Sequence, residues 1–360
     1  MKTVLICIPM LNNAGAQRFV TELAINLDRQ RFRAIVVTTS RSLPESEFHR
    51  QLVDGGIEVK DVSDGNYLKE IKNIRALLKQ YSPDIVHSNI GSALHVLVPV
   101  WMQGKKTVHI FTAHSMGYRI FTGAKKKLMQ FAFKTCKIIP VGICDTVKKS
   151  ICESYGLSED KVPCVYNGVD TEKFTPKESY CKDGLVNFIS VGTLYGLKNH
   201  SMLIDAFSIV RKSAENVKLT IVGGGELHSA LDEQIRALGL EGDVMLVGDR
   251  PNVADYLSSA DVYCCPSKVE GLPITVLEAM SVGLPIITTP AGGVVDIVKD
   301  GENGYIVPHN DAKAMAEKML LLASSINIIE EKGKSSRKEA LQYDEKLCVK
   351  GYEIIYDTYK

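Results

Sequence analysis

The sequence predicts an α/β fold made of two doubly wound, Rossmann-like domains. Strand-like apolar runs alternate with helix-like segments, which is the pattern of a parallel sheet covered by helices on both faces. A polar segment at 175–184 interrupts the alternation, which then begins again on the same plan. A chain of 360 residues is long enough for two domains of ordinary size. We therefore predict a first domain over residues 1–178 and a second over residues 185–343.

The elements of each domain follow from apolar runs and helical periodicity. In the first domain the predicted strands are 4–8, 34–38, 57–62, 84–88, 107–112, 137–141 and 162–166, and the predicted helices are 16–27, 67–80, 123–137 and 145–155. In the second domain the predicted strands are 186–191, 218–222, 244–247 and 261–266, and the predicted helices are 201–213, 227–238, 252–257 and 275–280. A last helix is predicted over 344–360.

The composition is that of a soluble globular protein kept in a reducing compartment. Hydrophobic residues make up 45% and charged residues 24% of the chain, and no run approaches the ~20 apolar residues of a membrane span. The apolar start is broken by Pro9, so we interpret it as a strand and not as a signal peptide. The nine cysteines are scattered without a Cys-x-x-Cys pair. They predict reduced, buried thiols and a cytoplasmic protein.

The near-zero net charge hides an asymmetry between the halves of the chain. Residues 1–150 carry 22 Lys and Arg against 11 Asp and Glu, a net charge of +11, whereas the remainder carries −10. Four lysines, Lys125, Lys126, Lys127 and Lys134, lie on a basic amphipathic helix. We expect them to contact an anionic membrane at its inner face. The alternative is a core-packed helix with a solvated basic face. No basic run interleaved with aromatic residues predicts nucleic-acid binding.

A strand-to-helix turn in the second domain carries the main functional signal. A β-favouring run closed by Pro266 precedes it and a helix-like segment follows, which places Glu270 and Gly271 in the turn. Gly271 lets a ligand approach the backbone closely, and Pro273 suits the first helical position, where a missing N–H costs nothing. Turns of this kind bind anions.

The start of that helix predicts a phosphate site flanked by carboxylates. The amides of Leu272, Ile274 and Thr275 would be unpaired donors at the positive end of a helix. Neither Glu270 nor Glu278 favours a phosphate, so we predict that both accept hydrogen bonds from sugar hydroxyls. The alternative is that Glu278 is a solvated helix residue and Glu270 a loop charge.

The motifs of the chain, taken in order, resemble those of the retaining nucleotide-sugar glycosyltransferases of family 4. Glu270-Gly-Leu-Pro, with Glu278 eight positions later, is similar to their paired-glutamate signature. The other motifs are Gly192 with Lys198, Ile-Val-Gly-Gly-Gly at 221–225, Ser-Ala-Asp at 259–261, Pro-Ile-Ile-Thr-Thr at 285–289, Gly-Gly at 292–293, Asn-Gly at 303–304 and Asn-Gly-Val-Asp at 167–170. The resemblance implies the GT-B fold, in which two Rossmann-like domains with parallel sheets face each other across a cleft. It also implies that the last helix crosses back onto the first domain.

The resemblance further assigns the donor diphosphate to Lys198 and to the loop at Gly192. The family usually has an arginine directly after that glycine, but this chain has Thr193. Another basic residue, Arg250 or Lys268, is then the candidate to help Lys198 bind the diphosphate. By resemblance, the loop of Arg250 lies beside the base of the nucleotide. The resemblance also implies that two more glycines take part in donor binding. Gly15 belongs to the loop under the donor sugar or beside the acceptor, and Gly224 belongs to a second anion-binding turn.

A histidine at the end of a predicted strand completes the implied site. His114 follows the strand at 107–112, where ligands of parallel sheets collect. It resembles the family's histidine that contacts the donor sugar, and His87 is the weaker candidate. The alternative for either is a structural histidine. We expect Glu270, His114 and Lys198 to be the catalytic residues and Glu278 to bind the ribose.

The implied function is retaining transfer of a sugar from a nucleoside diphosphate sugar. By resemblance, the donor is a UDP-sugar and the acceptor a glycan or lipid-linked glycan of a bacterial surface polysaccharide. The chain has no Asp-x-Asp motif to hold a metal on the diphosphate, so no metal or other cofactor is expected. The alternatives are a sugar-nucleotide epimerase or hydrolase of the same architecture, and a non-catalytic partner subunit.

Overall fold

The computed structural model describes residues 1–12, 14–40, 46–136 and 138–359, which form two compact units. The first unit consists of Met1–Gly168 with Glu345–Lys360, and the second of Val169–Asp344. The boundary therefore lies before the polar segment predicted as the linker. The reason is that this segment packs on the second unit, where Lys177 N donates to Val282 O and Lys177 Nζ donates to Asp261 Oδ1.

The first unit is built on a parallel sheet. Its strands are β1 (Lys2–Ile8), β2 (Phe32–Thr38), β3 (Glu58–Asp61), β4 (Ile85–Asn89), β5 (Val108–Ala113) and β6 (Ile138–Gly142). They lie in the order β3-β2-β1-β4-β5-β6. The predicted strand at 162–166 is wrong, since only Cys164 forms an isolated bridge, to Gly142. Lys137, predicted to begin a strand, lies outside the described residues.

Helices cover both faces of this sheet. They are α1 (Gly15–Asn26), α2 (Glu47–Asp54), α3 (Tyr67–Tyr81), α4 (Ser92–Gln103), α5 (Gly117–Ile120), α6 (Gly123–Thr135) and α7 (Asp145–Tyr155). The sequence patterns missed α2, α4 and the short α5. Helix α4 contains Pro99 and is apolar over most of its length, so it lacks the polar face that marks an amphipathic helix.

The second unit repeats the plan. Its strands are β7 (Val186–Val191), β8 (Val217–Val222), β9 (Val244–Gly248), β10 (Val262–Cys265), β11 (Ile286–Thr288) and β12 (Gly304–Ile306), in the order β12-β11-β10-β7-β8-β9. Its helices are α8 (His200–Arg211), α9 (His228–Ala237), α10 (Val253–Ser259), α11 (Ile274–Val282), α12 (Val294–Ile297), α13 (Ala312–Ala323) and α14 (Ile326–Ala340). All the strand pairings recorded in both sheets are parallel.

The last helix, α15 (Glu345–Thr358), belongs to the first unit. Tyr352 and Tyr356 are fully buried in its core beside Phe19 and Phe32 of α1 and β2. Lys2 Nζ donates to Tyr356 O at 2.7 Å. Residues from both ends of the chain thus pack in one core of the first unit. Among the described residues, no helix combines the length and the apolar content needed to cross a bilayer.

Candidate active site

The second sheet changes winding direction at β7, which fixes where its loops meet. Strands β8 and β9 lie on one side of β7, whereas β10 lies on the other. The loops that leave the carboxyl ends of β7 and β10 therefore adjoin. Open α/β sheets bind ligands at such switch points. The loop after β7 carries Gly192 to Lys198, and the loop after β10 carries Ser267 and Glu270.

An ion pair joins these two loops. Glu270 Oε1 lies 2.7 Å from Lys198 Nζ and accepts a second hydrogen bond, of 2.6 Å, from Ser267 Oγ. The side chains of Lys198 and Glu270 are 19% and 11% exposed. Burial opposes the charge of Lys198, but the adjacent Glu270 carboxylate outweighs it and raises the pKa of Lys198. The loops therefore present a fixed ammonium group beside a fixed carboxylate.

Helix α11 begins beside this pair. Pro273 is its N-cap residue, with φ −72° and ψ 118°, so the prediction that Pro273 occupies the first helical position is wrong by one residue. Only the carbonyl of Pro273 takes part in the helical hydrogen bonds, and it accepts from Val276 N at 3.1 Å. The preceding amides, at Ile274 and Thr275, come too early in the helix to have intrahelical acceptors, and no acceptor for them is found among the described residues.

A buried tyrosine fixes the start of α11 against the end of β7. Tyr263 Oη donates to Val191 O at 3.1 Å and lies 3.0 Å from Thr275 Oγ1. Tyr263 itself is 1% exposed. Gly271 is held from the other side, since its carbonyl accepts from Gly293 N at 2.7 Å. The turn from Gly271 to Thr275 is thus anchored to neighbouring strands and loops.

The glycines after β8 are needed for packing against the loop after β7. A Cβ on Gly223, whose φ is +141°, would lie 2.1 Å from Gly192 O, and one on Gly225 would lie 2.5 Å from Leu194 O. Gly192 N donates to Val222 O at 2.9 Å. The two loops therefore pack backbone against backbone, which only residues without a Cβ permit.

The turn at Gly224 is occupied by one of the protein's own carboxylates. Gly224 N donates to Asp249 Oδ1 at 2.6 Å. The turn thus holds an anionic group of the protein itself, and the assignment of Gly224 to donor binding stays a prediction. Arg250, next along the chain, is exposed and donates from Nε to Tyr256 Oη at 3.2 Å. Thr193 and Lys268 are exposed as well.

Glu278 occupies a different environment from Glu270. It lies in the second turn of α11 and is only 1% exposed, so it is not the solvated helix residue of the alternative interpretation. Leu272 is buried beside the same turn, at 3% exposure. The role of Glu278 in binding ribose stays a prediction.

The first unit places His114 directly after β5, at the carboxyl edge of its own sheet. His114 Nε2 lies 2.8 Å from Oδ1 of Asn89, the last residue of the neighbouring strand β4. The ring of Phe19 on α1 stands edge-on at 5.0 Å. Burial lowers the pKa of His114 to about 3, so its imidazole is neutral at physiological pH. Gly15 is the exposed first residue of α1, four positions before Phe19.

His87, the weaker candidate, is a structural residue. It is fully buried, and its ring nitrogens lie 2.7 Å from Tyr356 Oη and 2.7 Å from Thr112 Oγ1. Thr112 in turn bonds to Tyr352 at 2.9 Å. Both nitrogens of His87 are thus used to bind α15 to the sheet.

Sequence reasoning missed three residues that support the site. Ser267, Tyr263 and Asn89 all hold a predicted site residue or segment in place. Asn89 ends β4 and Ser267 follows β10 by two residues, and this position at the carboxyl end of a strand is the signal that could have found them. Tyr263 lies within β10, where no such signal marks it. No cluster of three or more metal-ligating side chains occurs within the described ranges.

Comparison with solved structures identifies the fold. The structure is similar over 99% of its length to that of HepE from Anabaena, solved with UDP-glucose, with a TM-score of 0.86 and 16% identity over 100% of that chain. A glycosyltransferase from Rickettsia africae gives a TM-score of 0.84 at 19% identity, covering 99% and 98% of the two chains. The protein therefore has the two-domain GT-B fold of glycosyltransferases.

The sequence comparisons give the family. Residues 13–173 match the Glycosyltransferase Family 4 model, and residues 173–339 match the model of Glycosyl transferases group 1. CapM of Staphylococcus aureus, a capsular polysaccharide biosynthesis glycosyltransferase, is 26% identical over 83% of either chain. The UDP-Gal:alpha-D-GlcNAc-diphosphoundecaprenol alpha-1,3-galactosyltransferase of Escherichia coli is 29% identical over 68% of this chain and 67% of its own. The chain belongs to the group 1, family 4 glycosyltransferases, as its motifs predicted.

Proposed function

We propose that this glycosyltransferase moves a sugar from a UDP-sugar to a glycan or lipid-linked acceptor of a surface polysaccharide, with retention at the anomeric carbon and without a metal. The observation that carries the proposal is the Lys198–Glu270 pair beside the start of α11. The relatives support the choice of substrates, since one is named for transfer from UDP-Gal to a diphosphoundecaprenol-linked sugar and HepE was solved with UDP-glucose.

Groups of the second unit would stabilise the negative charge of the leaving diphosphate. Lys198 has three N–H donors and spends one on Glu270, which leaves donors for phosphate oxygens. The amides of Ile274 and Thr275 add the partial positive charge of a helix start. Such fixed donors stabilise a developing charge in the transition state, which is the task a metal performs in other enzymes.

The transfer itself would follow a front-face course. The bond from the anomeric carbon to the β-phosphate oxygen breaks, the acceptor oxygen bonds to the same face of the anomeric carbon, and the acceptor proton goes to the departing phosphate. Glu270 would hold hydroxyls of the donor sugar, Glu278 the ribose hydroxyls, and His114 a further hydroxyl of the donor sugar. A product of inverted anomeric configuration would refute this course.

The test of the site is Glu270→Gln. Without the carboxylate, kcat should fall by a hundredfold or more, as when one preorganised group is removed from a transition state. Glu278→Ala should mainly raise the KM for the donor. Glu233→Gln changes an exposed glutamate on α9 and should leave both constants unchanged. Activity of Glu270→Gln near the unmodified level would contradict the proposal, as would activity lost in a chelator and restored by a divalent ion.

The donor class is tested by thermal unfolding with UDP, GDP and ADP. A nucleotide present at about a hundred times its Kd stabilises a protein by ~2.7 kcal/mol, so UDP alone should raise the melting temperature clearly. Turnover of the donor with no acceptor present would instead indicate an epimerase or hydrolase. Nucleotide binding that survives Glu270→Ala, with no turnover of any donor, would indicate a non-catalytic subunit.

We further propose that the protein works in the cytoplasm, on the inner face of the membrane, through one face of its first unit. Lys125, Lys127 and Lys134 of α6 are exposed, and so are the apolar side chains Leu128 and Phe131 between them. Basic side chains attract anionic lipid at about 1 kcal/mol each, and apolar side chains among them insert into the interface.

Helix α4 extends that face. Its Val96 and Val100 pack in a cluster with Val86, and Phe133 of α6 packs on Phe111 at 5.9 Å. Val86 and Phe111 lie on the same face of the sheet by the register of β4 and β5, so α4 and α6 cover one face. Helix α4 exposes three further apolar side chains there, Val98, Trp101 and Met102.

Trp101 allows a direct test because it is the single tryptophan of the chain and is 67% exposed. Its fluorescence should shift to the blue with vesicles that contain phosphatidylglycerol and stay unchanged with phosphatidylcholine alone. Replacement of Lys125, Lys127 and Lys134 by glutamine should weaken the shift, whereas the same change at the exposed Lys212 and Lys268 should not. An unchanged spectrum with both kinds of vesicle would refute membrane contact through this face.

A further inference from the structure

The hydrogen bonds around Asn89 determine which ring nitrogen of His114 carries its proton. Asn89 is fully buried at the end of β4. Its Nδ2 donates to Cys7 O at 3.2 Å, and its Oδ1 lies 2.8 Å from His114 Nε2. A main-chain carbonyl only accepts hydrogen bonds, so the amide group of Asn89 must turn its nitrogen toward Cys7 and its oxygen toward His114.

The orientation of that amide fixes the donor at His114. Because Oδ1 can only accept, His114 Nε2 must carry the hydrogen. A neutral imidazole has one ring proton, and burial keeps His114 neutral by lowering its pKa to about 3. Its other nitrogen, Nδ1, then has a lone pair and no hydrogen. His114 as a whole is partly exposed, although its Nε2 faces the buried Asn89.

We propose that Asn89 is a positioning residue that holds His114 in the Nε2–H tautomer, so that Nδ1 accepts a hydrogen bond from a hydroxyl of the donor sugar. The tautomer follows from the contacts in the first unit alone, whereas its use in sugar binding rests on the proposed function. The consequence is selectivity for donor sugars that present a hydroxyl to this nitrogen. A hydrogen atom or a carboxylate in that place offers no donor to the lone pair.

The backbone around Asn89 makes the arrangement rigid. Ser92 Oγ lies 2.9 Å from Cys7 O and 3.1 Å from Asn89 N, and Asn89 is paired with Thr112 in the register of β4 and β5. Phe19 stands edge-on against the His114 ring. The ring therefore has neighbours that fix its plane as well as its proton.

Nitrogen-15 NMR of histidine-labelled protein tests the tautomer directly, without any substrate. We expect His114, identified by its loss in His114→Gln, to show a protonated Nε2 and an unprotonated Nδ1. In Asn89→Leu the signals should become those of a mixture of tautomers. Ser88 precedes Asn89 on β4, and its buried hydroxyl lies 2.7 Å from His109 Nε2 of β5. In Ser88→Ala, which removes that hydroxyl, the His114 signals should be unchanged. An Nδ1–H tautomer in the unmodified protein would overturn the proposal.

Kinetics test the second step. Asn89→Leu should lower kcat/KM by about tenfold, the equivalent of one lost hydrogen bond of ~1.4 kcal/mol. If Asn89 acts through His114, the double variant Asn89→Leu/His114→Gln should be no slower than His114→Gln alone. Additive losses would show that Asn89 is only structural. Ser88→Ala serves as the control for a comparable loss of stability at the same strand.

The two kinds of result separate the failure of this proposal from failure of the proposed function. Should no nucleotide sugar be turned over, the NMR result still decides whether Asn89 sets the tautomer. Should transfer occur with the tautomer as expected but with additive kinetics, the assignment of Nδ1 to a sugar hydroxyl is wrong. A series of monodeoxy donors then adds a check, since the donor that lacks the bonded hydroxyl should be insensitive to Asn89→Leu.

Discussion

At the scale of single residues, the site depends on how each charged group is held. Glu270 accepts from Lys198 and Ser267 through the same oxygen, Oε1. A carboxylate fixed by two donors has little freedom to rotate. The serine therefore matters for the direction in which the carboxylate faces, although it has no charge of its own.

Ser267→Ala tests this point. Loss of its hydrogen bond leaves Glu270 with Lys198 alone, and we expect kcat to fall by about tenfold, which corresponds to ~1.4 kcal/mol. Steady-state kinetics with the preferred donor measure it. Ser324→Ala removes an exposed hydroxyl that donates to Leu321 O and should leave kcat as it is. Equal activities of the two variants would mean that Lys198 suffices to orient Glu270.

The lowered pKa values of three histidines in the first unit lead us to expect a loss of stability in acid. Burial lowers the pKa values of His87, His109 and His114 to about 3, against about 6.5 in an unfolded chain. Between these pH values the three histidines bind protons in the unfolded chain but not in the folded unit. Their contribution is therefore complete above about pH 6.5 and is lost as the pH falls toward about 3. The free energy of unfolding should fall by up to ~1.4 kcal/mol per pH unit for each histidine.

His109→Leu should remove one histidine's share of this slope. Urea unfolding at about pH 5 and about pH 7 measures the difference, because the slope acts between those values. His228→Leu, at an exposed position on α9, is the matched control and should keep the slope of the unmodified protein. A slope that stays the same in His109→Leu would show that acid acts on other groups.

At the scale of elements, the loops after β7 and β8 depend on glycines for their close packing. A Cβ added to Gly223 would lie 2.1 Å from Gly192 O, which is much shorter than a van der Waals contact. Backbone must therefore move if a side chain is added. The movement would reach Lys198, whose aliphatic carbons would lie 3.4–3.7 Å from a Cβ at position 192.

Gly223→Ala should accordingly destabilise the second unit by at least ~2 kcal/mol, because overpacking and an unfavourable φ act together. It should also weaken nucleotide binding. Gly196→Ala, in the loop after β7, adds a methyl group where no atom lies within 4 Å and should be tolerated. Thermal unfolding with and without UDP measures both effects. A stable Gly223→Ala protein with normal UDP binding would show that the loops can separate without loss of the site.

At the scale of the whole molecule, the first unit is assembled from both ends of the chain. Helix α15 supplies Tyr352 and Tyr356 to the core. It also supplies Asp357 and Glu353 to ion pairs with Arg31. A chain that ends at Asp344 lacks these groups and exposes the apolar surface that they cover.

We expect the chain that ends at Asp344 to lose cooperative folding of residues 1–168 while the second unit stays folded. Limited proteolysis should then degrade the first unit and leave a resistant fragment near residues 169–344. A chain ended at Thr358 keeps all of α15 and should resist proteolysis like the full protein. Protection of residues 1–168 in the shorter chain would show that α15 is dispensable for the first core.

The sequence by itself determined the fold class, most strands and the family. Buried parallel strands such as β1 and β7 are near-continuous apolar runs, and the glutamate motif of α11 is a local pattern, so both can be identified without coordinates. Local patterns failed where apolar content has no period, as in α4, and where pairing decides, as at 162–166, which lacks a strand partner beyond one bridge.

Only the tertiary structure decided which neighbours each site residue has. Hydrogen bonds join Lys198 with Glu270, Gly224 with Asp249, His87 with Tyr356 and His114 with Asn89, and the members of each pair are far apart in the chain. The physical reason is that hydrogen bonds and ion pairs depend on distances of about 3 Å, which the packing of strands and loops sets. Periodicity and motifs specify elements and their order, whereas the state of a proton or a charge depends on contacts that form only when the elements pack.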